Sequence, residues 1–258
     1  MTSNDAPGAY TSVNGLQMYY EVHGFRGSAA RPLVLMHGGL LTIDSFGPLI
    51  PALAKDREVI ALEFQGHGHT ADIDRELSLA NFSTDVVGLL DHLGVERADL
   101  FGFSVGGLTG LQTAIASPDR VGRLIAASAH FRPDGYYDEI FDQSAWATSK
   151  RLPTQADFEE MRRGYVRVAP HPEQFDAFQA KLGGMVAAFP GWSDEALRGI
   201  AAPTLVVIGD TDFVRVEHAA EMRDLIPDAQ LAVLPGTTHV GVLQRVDLVL
   251  PMIERFLS

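Results

Sequence analysis

Short apolar runs, each too brief for a helix and separated by stretches of helical periodicity, constrain this chain more than any other feature. They are Leu33-Val34-Leu35-Met36, then 58–62, 98–101, 121–128, 204–208 and 230–234. Strands that are apolar throughout need cover on both faces, and strands that alternate with amphipathic helices pair in parallel. The intervening stretches supply that cover. In 79–93, Phe82, Val86, Leu89, Leu90 and Leu93 share one helical face, with Ser78 placed as N-cap and Gly94 as the stop. Further helical patterns lie at 45–54, after Ser104, near Val216 and near Gly241. Ahead of the first run, residues 11–13, the turn pair Asn14-Gly15 and residues 16–22 carry a hairpin signature, which adds antiparallel strands at one edge. Residues 1–9 are expected to form a loose leader. The expected fold class is α/β: a mostly parallel, eight-stranded sheet with helices on both faces.

The rhythm stops between about 130 and 199. No strand-like run appears there, and the segments 155–168 and 173–189 have helical patterns, set apart by Pro133, Pro153, Pro170, Pro172 and Pro190. The expected organisation is a core domain of residues 10–129 and 200–258, with a helical cap of residues 130–199 inserted after the sixth strand. This stretch holds 11 of the chain's 22 aromatic residues, twice its share by length. An insertion at that point lies at the C-terminal side of the parallel strands, where open α/β sheets bind ligands. Its aromatics either face a ligand as a lid or make up the insertion's own small core, and the sequence leaves both open.

Charge and composition exclude several classes. Lys and Arg number 20 against 33 Asp and Glu, a formal charge of −13, with no basic cluster to displace phosphate counterions, so no nucleic-acid partner is expected. No run of 18 apolar residues exists, so neither a spanning helix nor a membrane partner is expected. The start, Met1-Thr2-Ser3-Asn4-Asp5, lacks a basic region followed by an apolar one, and a cytoplasmic location is expected. The absence of cysteine removes disulfides, thiolate metal sites and cysteine nucleophiles.

The chemistry centres on Gly102-Phe103-Ser104-Val105-Gly106-Gly107, which follows one apolar run and opens a helical segment. A G-x-S-x-G pattern is weak alone, but between strand and helix it is the context of a nucleophile elbow, where glycines let a strained turn pack closely. A serine hydroxyl is a poor nucleophile at neutral pH and needs a base and an orienting acid. Both are available at later strand ends. The run at 204–208 leads into Gly209-Asp210-Thr211-Asp212, and that at 230–234 leads into Pro235-Gly236-Thr237-Thr238-His239. The order Ser, Asp, His suits this architecture. Asp210 and Asp212 both remain open as the acid.

These motifs, with His37-Gly38-Gly39 after the third strand and Gly66-His67-Gly68 after the fourth, resemble the α/β-hydrolase fold superfamily. The likeness spans about residues 10 to 257 and is greatest to the cap-bearing esterase, lactonase and cofactor-free haloperoxidase branch. The resemblance implies Ser104 as nucleophile, His239 as general base and then acid, and Asp212 as the group that orients the imidazole. It favours Asp212 over Asp210 through its place three residues after Gly209. It also implies an oxyanion hole from the backbone N–H groups of Val105 and Gly39, with Leu40 as the alternative second donor. The turn Glu63-Phe64-Gln65-Gly66-His67-Gly68-His69-Thr70 departs from the family's usual Asp-x-Arg-Gly-x-Gly-x-Ser. His67 and His69 lack further ligands at suitable spacing, so no metal is expected, and no cofactor either. Loss of the Pro-Gly that follows His-Gly-Gly in proline iminopeptidases argues against aminopeptidase action. A serine at the elbow argues against dehalogenase and epoxide-hydrolase chemistry, which needs aspartate there.

The expected activity is hydrolysis of a small carboxylic ester, thioester or lactone through an acyl-enzyme, on a small apolar or aromatic substrate. Resolution of the acyl-enzyme by hydrogen peroxide, cleavage of a carbon–carbon bond, and a ligand-binding receptor on the same scaffold are the alternatives. Arg132, Arg151, Arg162, Arg163 and Arg167 are open to pairing with a substrate carboxylate or to forming surface charge. Assembly into a homo-oligomer is compatible with the sequence.

Overall fold

The computed structural model describes residues 8–140, 142, 144–146 and 148–258. The first seven residues of the expected leader lie outside that set, as does Phe141 among the aromatics of the insertion. Eight strands form one sheet: β1 (Ala9–Val13), β2 (Leu16–His23), β3 (Leu33–Met36), β4 (Val59–Leu62), β5 (Ala98–Phe103), β6 (Val121–Ala127), β7 (Thr204–Thr211) and β8 (Ala229–Thr238). Their spatial order is β1-β2-β4-β3-β5-β6-β7-β8. The β1–β2 hairpin is antiparallel, β2 runs antiparallel to β4, and the rest pair in parallel. Asn14 (φ 49°) and Gly15 (φ 84°) make the hairpin turn, the left-handed pair that a two-residue connection requires.

The helices are α1 (Leu49–Leu53), α2 (Leu79–Leu93), α3 (Val105–Ala116), α4 (Gln155–Val168), α5 (Phe175–Ala188), α6 (Asp194–Arg198), α7 (Val216–Leu225) and α8 (Val246–Leu257). Alternation along the buried strands divides their side chains between two cores. Val34, Met36, Leu100, Leu124 and Val206 pack under α2, α3 and α7. Leu33, Leu35, Phe101, Ile125 and Val207 pack under α1 and α8. Ser78 caps α2 by accepting the Asn81 N–H at 3.1 Å, and Gly94 ends it in the left-handed conformation.

Several boundaries differ from expectation. The helix expected at 45–54 is a 3-10 turn, Ile43–Phe46, then α1, because Gly47 (φ 42°) and Pro48 break it. The last helix begins at Val246 after a 3-10 turn over Val242–Gln244, not at Gly241. β5, β7 and β8 extend beyond their apolar runs, since a neighbouring strand supplies ladder partners to any backbone within reach. Between β6 and β7 lie α4, α5 and α6, joined to the sheet end by an isolated bridge, Tyr136 to Val214. Among the described residues no helix is long and apolar enough to cross a membrane.

Candidate active site

β5 ends in Phe103 and α3 starts at Val105, leaving Ser104 alone at the turn with φ 54° and ψ −116°. That left-handed conformation is costly for a residue with a Cβ and persists only where its surroundings enforce it. They do so through close backbone approach. A Cβ on Gly102 would collide with the carbonyl of Gly106, and one on Gly106 would collide with the carbonyl of Met36. The Ser104 N–H donates to the Ala127 carbonyl at 2.8 Å, pinning the turn to β6.

The three groups from distant strand ends meet. Ser104 Oγ lies 3.0 Å from His239 Nε2, and His239 Nδ1 lies 2.8 Å from Asp212 Oδ1. Because a carboxylate only accepts, Nδ1 carries the proton and Nε2 is left to accept from the serine hydroxyl. Asp212 is fully buried and His239 is 6% exposed, so the chain of bonds is shielded from water on its acid side. Burial alone would raise the Asp212 carboxyl, but the His239 imidazole, the Val214 N–H at 3.0 Å and the Ser128 hydroxyl at 2.7 Å outweigh it. The net result holds it below the ordinary carboxylate value. Phe213 stacks on the imidazole at 3.8 Å and fixes its plane.

Asp210 goes elsewhere. Its carboxylate accepts the N–H groups of Gly236 at 2.9 Å and Thr237 at 3.1 Å, which tie the end of β7 to β8 and hold its carboxyl below the usual range. Val105 is the first residue of α3, so its N–H has no helical acceptor and points out of the helix's positive end. Gly39 and Leu40 line the same cavity as Ser104, and among the described residues neither N–H meets an acceptor. Leu40 sits at φ 61°, and a Cβ on Gly39 would come within 2.9 Å of the Leu182 side chain. His37 braces this loop: its Nδ1–H donates to the Gly38 carbonyl at 2.7 Å, while Nε2 accepts the Phe64 N–H at 3.2 Å. Burial depresses its pKa, so it stays neutral. His67 and His69 diverge: His67 Nδ1 meets the Gln65 carbonyl, whereas His69 pairs with Glu63 and stacks on Tyr19.

Ser104 and His239 open onto a cavity of about 590 Å³ between the sheet end and α4–α5. Its walls are mostly apolar, with Leu108, Tyr136, Phe158, Met161, Val186 and Phe189 prominent. It shares Trp146, Phe158 and Phe213 with an outer chamber of about 610 Å³. The insertion's aromatics therefore divide: Tyr136, Trp146, Phe158 and Phe189 line the cavity, while Tyr165 meets Phe175 edge-on and stacks with Phe178 as packing. The insertion's arginines are occupied outside this cavity. Arg132 pairs with Asp134, Asp194 and Glu221, Arg151 with Glu139, Arg162 with Asp176, Arg163 with Glu160 and Arg167 with Asp44. Sequence reasoning missed Ser128, His130 and Phe213. Ser128 and His130 follow the end of β6, and that position is the only signal in the sequence by which they could have been found.

Comparison with known proteins places the chain in a family. The family model described as "Alpha/beta hydrolase family" matches residues 33–251. A protein of Caulobacter sp. (strain K31), named as a candidate carbamate hydrolase RutD, is 35% identical over 250 residues, 88% of this chain and 90% of that protein. Its namesake in Azorhizobium caulinodans is 27% identical over 253 residues, 89% of this chain and 91% of that protein. Among solved structures, the enol-lactonase from Burkholderia xenovorans LB400 superposes with a TM-score of 0.77 at 24% identity, covering 96% of this chain and 99% of that one.

Proposed function

Since this chain belongs to the alpha/beta hydrolase family and is a hydrolase, we propose that it cleaves a small, largely apolar carboxylic ester, thioester or lactone through an acyl-enzyme. The observation that carries the reading is the unbroken hydrogen-bond chain from Asp212 through His239 to Ser104, opening on an apolar cavity. In the proposed cycle Ser104 Oγ attacks the substrate carbonyl as His239 Nε2 takes its proton. Asp212 stabilises the resulting imidazolium and keeps the ring in register. Negative charge on the carbonyl oxygen is met by the N–H groups of Val105 and Gly39, each worth on the order of 3 kcal/mol to such a transition state. The imidazolium then protonates the departing alcohol, thiol or ring oxygen. Water, deprotonated by His239, attacks the acyl carbon and releases the acid and free Ser104. Residues 130–199 act as a cap that excludes bulk water and selects the substrate body.

A second reading changes only the acyl group. The 35% identity to a protein named for carbamate hydrolysis favours a carbamoyl substrate, attacked by the same serine. The cavity, at about 590 Å³, has room for far more than a simple carbamate, which favours the ester reading. A panel of p-nitrophenyl esters from acetate to octanoate, with γ- and δ-lactones and p-nitrophenyl N-methylcarbamate, separates the two. The ester reading expects kcat/KM to rise with acyl length over the first few carbons, and Ser104→Ala to abolish turnover. Turnover of the carbamate alone contradicts it.

A further inference from the structure

The cavity contains one imidazole that the cycle does not use. His130 lies three residues beyond Ala127, the β6 residue whose carbonyl holds the Ser104 N–H. It is 2% exposed and lines the same cavity as Ser104 and His239. Its ring is clamped by Tyr136 at 4.2 Å and by the edge of Phe189 at 5.6 Å. Among the described residues no hydrogen bond reaches either of its ring nitrogens, yet neither is among the sealed buried atoms that lack a partner. The free nitrogen surface therefore faces the cavity. Burial, with His218 and His239 close by, pushes its pKa down to about 3, so the ring is neutral and offers one donor and one acceptor. Among the described residues no Lys, Arg, Asp or Glu lines this cavity. A phenylalanine would fill the same space without placing two polar nitrogens on an apolar wall, a cost that a ligand oxygen bonded to the ring would offset.

We propose that His130 is the specificity-determining residue of the cavity, and that it hydrogen-bonds an uncharged oxygen function, a ketone or a hydroxyl, carried by the substrate near its scissile carbonyl. This rests on the hydrolase reading above and narrows its substrate class to oxo- or hydroxy-substituted acyl compounds. A site built to bond such an oxygen discriminates strongly against the analogue that lacks it, because the imidazole is then left buried and unpaired.

The test compares p-nitrophenyl hexanoate with its 3-, 4- and 5-oxo analogues. The wild type is expected to prefer at least one oxo ester by tenfold or more in kcat/KM. His130→Phe should lower that preference ratio ten- to a hundredfold, mainly through KM, and His130→Gln, which keeps a donor and an acceptor, should retain most of it. His130→Leu gives the same readout where the phenyl ring disturbs Tyr136. A wild type with no oxo preference, or a ratio unmoved in the Phe and Leu variants, overturns the proposal while leaving the hydrolase reading intact. A wild type that turns over none of these esters, hexanoate included, overturns both.

Discussion

Ser104 occupies a backbone conformation that most residues avoid, and in the proposed cycle its hydroxyl gains reactivity because Asp212 and His239 are held in line behind it. The Asp212 carboxylate takes three donors, from His239, Val214 and Ser128, at full burial. Asp212→Asn keeps the shape but lets the amide favour the wrong imidazole tautomer, so kcat is expected to fall about 10⁴-fold. The same substitution has a pH signature. A carboxyl held below its unfolded value contributes stability at neutral pH and loses it as acid protonates the folded state. Urea titrations from pH 7 to pH 3 are expected to show wild type losing this contribution while Asp212→Asn does not; parallel curves would contradict it. At this scale the sequence was legible wherever chemistry forces a residue type at a strand end. Gly102 and Gly106 are glycines because carbonyls stand where a Cβ would go, and that made the elbow visible. His130 and Ser128 were not visible, because nothing in their neighbours' identity says which way a loop side chain turns.

At the level of elements, α5 is the most telling. It carries Leu182, Gly183 and Val186 to the cavity wall, and a Cβ on Gly183 would meet nothing within 4 Å. A glycine inside a helix costs about 1 kcal/mol relative to alanine, and at the cavity wall it leaves room for a substrate chain. Gly183→Leu is expected to cut kcat/KM for p-nitrophenyl octanoate at least tenfold more than for the acetate. Gly184→Leu, one residue on and away from the wall, serves as the comparison; equal effects on both esters in Gly183→Leu would contradict the assignment. The parallel strands were legible because burial on both faces demands unbroken apolar runs. The ends of β5 and β8, and the break at Gly47-Pro48, were not, since ladder pairing and turn geometry come from partners remote in sequence.

Across the whole molecule, several histidines are folded away uncharged. Burial depresses His37 and His67, takes His218 to about 4 and takes His130 to about 3. An unfolded chain binds these protons near pH 6.5 while the folded one refuses them, so stability present above that pH is lost as acid is added. His130 alone contributes a loss of about 2 kcal/mol between pH 6.5 and pH 5. His69, raised by Glu63, acts in the opposite sense, but a third of its side chain is exposed and the effect is screened. The urea midpoint is therefore expected to be lower at pH 5.0 than at pH 7.5, and a higher midpoint in acid would contradict the burial of neutral imidazoles. The central claim is that folding gathers Ser104, His239 and Asp212 into one reactive unit, and a fluorophosphonate probe tests it most directly. Peptide mapping after labelling is expected to find a single covalent adduct on Ser104, lost in His239→Ala. An unlabelled protein, an adduct on another residue, or undiminished labelling in His239→Ala would contradict the account.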